Sequence, residues 1–466
     1  MNRTLLIKDI KLLLKDLKFQ IFFLILVVLF ILSAISSAVT YEEHLKAFQT
    51  DLNRHHDRIS DGLSTQMAQM LTSQLLHVNS RPSPAILFSS YDNYPDKINV
   101  GIMFYTPNFQ KYGASLREVF RLNWYFILGI LSGFIMLVLS FEAISHEKRA
   151  GTLRLMSIYG FKRQVILWHK YISYMLLYLI IIVPPALISL ILFFSLTATW
   201  SVSFMMKYLL ILLISIPFAS FFIWLGIFIS MAKNYRNAIV MVVFIWLFFV
   251  IIVPQSANII AKQMTPLKTT FDYQSMSYNA WSNEWMAWSE EYGDPVRGNM
   301  TLWDGLRAAA VYSSDEKRSQ MKQLEIDDSR RQVLMIQNIA AISPFIQFEK
   351  ISELVFDKGF YLLNFLQEQA KRSINQISNL MREQDSKDEN SMNLFYSWAS
   401  TEGSYNEVAF SQQLFEHPNL LFVSDIETDD NIVKSMKILL RLIPILLLNF
   451  VLIIASVTKF EKLDIR

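Results

Sequence analysis

The chain has 466 residues, of which 53% are hydrophobic and only 18% charged, against about 25% charged in an average soluble domain. A formal net charge of +3 gives no electrostatic footprint for nucleic acid. The absence of cysteine excludes disulfides, thiolate metal centres and cysteine nucleophiles.

Residues 1–18 predict a basic amphipathic helix. Lys8, Lys11, Lys15 and Lys18 recur at spacings of three and four, and Leu5, Leu6, Ile10, Leu13, Leu14 and Leu17 supply apolar surface. Such a helix lies in a membrane interface. Residues 19–39 form the first apolar run. Its small-residue tail (Ser33, Ala34, Ser36, Ser37, Ala38) resembles a cleavage site, but the leader contains Asp9 and Asp16. The run also exceeds the roughly 7–15 apolar residues of a signal core, so it reads as a retained span.

Residues 40–121 are polar and predict a first domain outside the membrane. It opens with helical periodicity (Leu52, Ile59, Leu63, Met67, Met70, Leu71) and contains short strands at 85–89 and 98–105. Further spans are expected at 122–142, 169–197, 207–230 and 238–258. Residues 259–433 predict a second outer domain, with Trp281, Trp285 and Trp288 at helical spacing, as in a domain core or an interfacial belt. A sixth span at 434–458 and a tail at 459–466 complete the chain. Each run reaches the about 20 residues a membrane helix needs.

Lys and Arg set the orientation. They crowd into the leader, into the loop at 143–168 (Lys148, Arg149, Arg154, Lys162, Arg163), into the loop after the fourth span (Lys233, Arg236) and into the tail (Lys459, Lys462, Arg466). The loop between spans three and four, residues 195–206, has none. Six spans alone put all four basic segments on one side. The expected fold is therefore mainly α: a polytopic membrane protein with six transmembrane helices, both termini cytoplasmic, and two extracytoplasmic domains of α or α+β type.

The sharpest motif lies at 143–168 and the start of the next span. Glu147, Lys148 and Arg149 precede Gly151-Thr152-Leu153, then come Leu155, the break at Gly160, Arg163 and Lys170. A short helix from Glu147 to Ser157 is expected, with Leu153 and Met156 on one side, ended by Gly160. This run resembles the ABC-2 type permease family, in which an acidic-basic cluster is followed by Gly-Thr-Leu, a Leu-rich turn, a basic residue and a Lys at the next span. The family usually has Pro near position 160, where this chain has Gly160. Ala340 to Phe345, with Ser343-Pro344, resembles a Ser-Pro element before the family's last span. The resemblance covers residues 1–39, 122–258 and 434–466, and the long polar segments fit a subgroup with enlarged outer domains.

The resemblance implies a permease subunit of an ABC transporter in the plasma membrane, mostly an exporter in this family. Its loop couples to a separate ABC ATPase through Glu147, Lys148, Arg149, Gly151, Thr152, Leu153, Leu155, Arg163 and Lys170. A second permease protomer, identical or related, is implied as well. No Gly-x4-Gly-Lys-Ser/Thr phosphate loop occurs. ATP and Mg therefore belong to the partner, no cofactor is expected on this chain, and the chain is not itself an enzyme. A second reading is an ATP-driven mechanotransmitter or assembly scaffold that acts on outer partners without moving cargo.

Other features leave alternatives open. Gly129 and Gly133 form a GxxxG pair that suits close helix packing, within one protomer or between two. Lys434, Lys437 and Arg441 form a basic stripe at the outer end of span six, fit for an anionic headgroup or charged substrate, or for Asp425, Glu427, Asp429 and Asp430 just upstream. Pro184-Pro185, Pro217 and Pro254 should bend their spans. His44, His55, His56 and His77 lack the spacing of a metal site, and no metal is expected.

Overall fold

The computed structural model describes residues 3–60, 76–79, 83–87, 97–100, 122–232, 235–292, 315–359, 361–362, 364–369, 372, 383, 387 and 431–463. Among these, six helices are long and apolar enough to cross a membrane: Leu17–Asp51, Phe126–Arg149, Arg163–Thr197, Val202–Ser230, Arg236–Met264 and Ser435–Glu461. They are spans 1 to 6 below.

Helix α1 (Arg3–Lys15) stops at Asp16, and α2 (Leu17–Ser60) carries span 1. The Asp16 carboxylate accepts the backbone N–H of Lys18 at 3.1 Å, a side-chain cap that starts the second helix. At 1.5 Å per residue, the 44 residues of α2 reach about 66 Å, twice a bilayer core. Span 1 and the helical start of the following segment are thus one continuous helix.

Residues 85–87 are not a strand. Pro84–Leu87 is a 3-10 turn, and residues 88–89 lie outside the described part. Pro84 has no N–H to give a ladder, and its carbonyl instead accepts the Tyr208 hydroxyl at 2.6 Å. Ala85, Ile86 and Leu87 are buried. The second expected strand is present as β2 (Lys97–Val100), antiparallel to β1 (Leu76–Asn79) with Leu76 opposite Val100; residues 101–105 lie outside the described part.

Spans 2 and 4 form the centre. Span 2 opens with a π-helical turn, Phe126–Leu131, and continues as α3 (Ser132–Ser140). Span 3 is α6 (Arg163–Thr197) and span 4 is α7 (Val202–Ser230); α4 and α5 lie between α3 and α6 and are described below. A Cβ on Gly226 of span 4 would run into the side chain of Ser140 in span 2, so glycine alone permits this approach. The GxxxG pair also packs inside the chain. A Cβ on Gly133 would meet the Phe222 ring of span 4 at 3.0 Å, and one on Gly129 would meet Phe348 at 3.2 Å. Toward the end away from the termini, Trp124 packs edge-on against Phe30 and Tyr208 and donates its indole N–H to Ser189 Oγ at 3.0 Å.

Span 5 combines α8 (Tyr235–Leu247), a π-helical turn at Phe248–Ile252 and α9 (Val253–Met264). Helix α10 (Thr270–Tyr292) follows, its start set by reciprocal hydrogen bonds between Thr269 and Asp272. Trp281 and Trp285 stack along it, with ring centroids 6.1 Å apart. The Trp288 side chain lies outside the described part. Helix α11 (Asp315–Ile339) packs on α9 and α10, with the Tyr273 hydroxyl donating to Asp328 at 2.9 Å.

The chain then re-enters the bundle. After Ala340–Ile342, helix α12 (Pro344–Phe356) runs antiparallel to span 4. Phe345 meets Phe218 and Phe222, Phe348 meets Phe218, and Phe356 meets Tyr208. Between residues 208 and 222 lie about 21 Å of helix. So part of the segment 259–433 is bundle interior rather than outer domain. Ser343, at the turn before α12, donates its hydroxyl to the Phe249 carbonyl at 2.8 Å. That carbonyl needs an outside donor. In the π-helical turn Val253 N–H bonds Phe248 O, so the next N–H should serve Phe249 O, and the next residue is Pro254.

Span 6 lies in α13 (Asn431–Glu461). Of the basic stripe, Arg441 donates to Gln337 Oε1 of α11 at 3.5 Å and Lys437 is exposed; the Lys434 side chain lies outside the described part. Among the described residues no group of three or more His, Asp or Glu could hold a metal ion. His44 is described; the side chains of His55, His56 and His77 are not.

Candidate functional site

The segment between spans 2 and 3 is built by two glycines. The expected single helix over Glu147 to Ser157 is two helices, α4 (Ser145–Arg149) and α5 (Thr152–Ile158). Gly151 separates them at φ +71°, a left-handed conformation that an L side chain resists. Gly160 at φ +77° ends α5, where Phe161 N–H closes back on Met156 O at 3.2 Å. Lys162 is extended, and span 3 starts at Arg163.

Leu153 is fully buried and seats α5 on the bundle, in the same apolar core as Phe141, Ala143 and Ile144. The other side faces out. Ile158 is 71% and Tyr159 80% exposed, Leu155 is exposed too, and the same short segment carries the exposed Lys148, Arg149, Arg154 and Lys162. Large apolar side chains held outward on a short, braced helix with a basic rim suit a protein surface.

Beneath this knob lies a buried ion cluster. The Lys170 ammonium of span 3 donates to Glu147 Oε1 at 2.5 Å and to Asp9 Oδ2 of α1 at 2.9 Å. Thr152 donates its hydroxyl to the other oxygen of Glu147, which ties the first residue of α5 to α4. His169 Nδ1 lies 3.3 Å from Asp9 Oδ2, while its Nε2 is buried without a hydrogen-bond partner. His169, Lys170 and Asp9 are all buried. Burial raises the Asp9 carboxyl, but the His169 hydrogen bond and the Lys170 charge outweigh it and hold the group below the usual carboxylate range. Two carboxylates share one ammonium, so Asp9, Glu147 and Lys170 together carry one net negative charge.

The motif residues therefore divide. Glu147, Thr152 and Lys170 meet at one point. Leu153 anchors, Gly151 breaks the helix, and Lys148, Arg149 and Leu155 lie on the outward face. Arg163 does something else: its Nη1 donates to the carbonyls of Phe460, Glu461 and Leu463 at 3.1, 2.5 and 3.0 Å. It caps the C-terminal end of span 6, where a cation also complements the helix dipole. Gln164 adds a bond to Glu461 Oε1 at 2.9 Å. Lys18, at the base of span 1, pairs with Glu142 just before α4 at 2.9 Å.

Asp9 is the residue sequence reasoning missed. The signal was there: an acid on the stripe of Leu5, Leu6 and Leu13, where an interfacial helix should be apolar throughout. A buried carboxylate demands a partner.

A family model described as ABC-2 family transporter protein matches residues 3–295, a stretch that begins with α1 and includes spans 1 to 5 and the whole ion cluster. No curated protein and no solved structure matches the chain.

Proposed function

The chain belongs to the ABC-2 family of transporter proteins, and from that premise we propose that it is the permease subunit of an exporter whose ATP hydrolysis occurs on a separate ATPase. The observation that carries this reading is the outward apolar face of α5, rigidly seated by Leu153 and backed by the Glu147–Lys170 pair. A groove on an ATPase would receive Leu155, Ile158 and Tyr159, and the basic rim would meet acidic residues around that groove. ATP and Mg would stay on the partner. A helix that is both exposed and tied to spans 2 and 3 can pass on a push as a rigid body.

Both termini and this knob then face the cytoplasm, in line with the basic residues at that end. The segments beyond the far ends of spans 1 and 5 form the extracytoplasmic domains. The exposed apolar sides of spans 1, 5 and 6 are available to lipid or to a second permease protomer in the plasma membrane. The test is recovery of a partner. The permease, purified from its native membrane in lipid nanodiscs, should carry a phosphate-loop ATPase. Ile158→Asp with Tyr159→Asp should abolish that recovery without lowering the permease melting temperature. A preparation free of any such ATPase, or unchanged recovery in the double variant, refutes the docking reading.

A further inference from the structure

We propose that α1 is a moving part of the coupling unit rather than a passive surface anchor, with Asp9 as the residue that positions it. The inference deepens the docking reading of α4 and α5 and depends on it.

An anchor that lies on lipid needs an unbroken apolar face. Helix α1 breaks that face with Asp9, and the acid is buried against span 3. Its partner is the same Lys170 ammonium that holds Glu147. An ammonium has three donors on one flexible stem, so two acceptors can share it but cannot move independently of it. Displacing Glu147 with α4 must change what Lys170 offers to Asp9.

The rest of α1 suits a lever. Its 13 residues end at Asp16, which is not helical and caps the next helix. Lys18, just past that joint, is fixed to Glu142 at the base of span 2. The joint is therefore pinned, while the body of α1 is held near its middle by the Asp9 contacts with Lys170 and His169. Ile7 and Leu12 of α1 remain exposed, where they can slide in the headgroup region. A push on α5 would reach α1 through Thr152, Glu147, Lys170 and Asp9 in turn.

The absence of cysteine makes the test direct. Spin labels go on Lys11→Cys in α1 and Arg154→Cys in α5, both exposed, in the full permease with its ATPase in nanodiscs. A second pair, Arg154→Cys and Arg236→Cys, reports movement of α5 alone. A third, Ser275→Cys and Leu324→Cys, reports whether α10 and α11 keep their fold. In the parent the α1–α5 distance should be narrow and nearly constant while Mg·ATP shifts the second pair, because α1 travels with the loop. In Asp9→Asn that constancy should be lost: the second pair still shifts, but the α1–α5 distribution broadens and changes with nucleotide. Asp9→Glu should restore the parent pattern, and the third pair should stay fixed throughout. A merely structural role for Asp9 would alter stability without any nucleotide dependence of the α1–α5 distance. Parent-like distances in Asp9→Asn overturn the proposal. A parent whose second pair ignores nucleotide overturns the docking reading itself, and this proposal with it.

Discussion

Lys170→Met is the perturbation on which the ion cluster stands or falls. The side chain is 9% exposed and is the shared donor between Asp9 and Glu147. Its loss leaves Glu147 with the Thr152 hydroxyl and Asp9 with His169, both carboxylates still largely out of water. Removing one partner of a buried ion pair costs about 3–5 kcal/mol, chiefly the desolvation of what remains. At about 1.4 kcal/mol per tenfold, that is a shift of more than a hundredfold in the equilibrium between the closed cluster and an open one. The opening should be local, because spans 2 and 4 do not depend on this pair. Amide hydrogen exchange in nanodiscs should therefore speed up more than a hundredfold in α1, α4 and α5 while the interior of span 4 is unchanged. The decisive comparison is the neutral triple variant Asp9→Asn, Glu147→Gln, Lys170→Met. With no charge left to strand, it should recover most of the loss. Exchange in Lys170→Met within threefold of the parent would refute the cluster, and so would a triple variant as unprotected as the single one.

Two further outcomes follow. Ser343→Ala should cost about 1–3 kcal/mol in thermal or denaturant unfolding, because it strands the part-buried Phe249 carbonyl; in a Pro254→Ala background, where an N–H is restored, the same change should cost under about 0.5 kcal/mol, and equal costs would show that Pro254 is not the cause. The Asp9 carboxyl is depressed from the ordinary 3.8, so its contribution is full above that value and is lost as pH falls through the lower folded one; the α1–α5 label distance should hold at pH 4 and widen only on further acidification, and widening between pH 7 and 5 would contradict the assignment.

The bundle was readable where its information is local. Apolar run length marked all six spans, because a membrane helix must satisfy its backbone alone. Glu147, Thr152 and Lys170 came from a motif, and Gly160 ended a helix as expected. Gly151 belongs to that motif, but its left-handed φ splits a helix that periodicity alone would run unbroken. Contacts across long separations were hidden. Asp9 and Lys170 are 161 residues apart, and Arg163 and Glu461 298. Nothing in a single sequence pairs such positions. The return of α12 was hidden for another reason: Phe345, Phe348, Ile351 and Val355 make the same stripe whether a helix covers a soluble core or enters a bundle. Only the orphaned Phe249 carbonyl and the aromatic rings of span 4 decide between them.

The least buried span is tied in by the most specific bonds. Within their most apolar stretches, spans 2 and 4 are 78% buried, whereas span 6 is 11% buried. In lipid, apolar contact gives little reason for a helix to stay against its neighbours, and hydrogen bonds and close packing must do it. Span 6 shows the arrangement that follows. Asn449 donates to the Pro217 carbonyl of span 4 at 3.0 Å. Lys459 donates to the Phe228 carbonyl at 3.0 Å and lies 4.0 Å from the centre of that residue's ring. Arg163 holds the last turn from span 3. Two of these three ties lie at the end that carries the ion cluster, and one of them comes from the segment that follows α5. A displacement of that segment would act on span 6 through directional bonds, while spans 2 and 4, locked by Gly226 and the phenylalanines around α12, stay as the frame against which it moves.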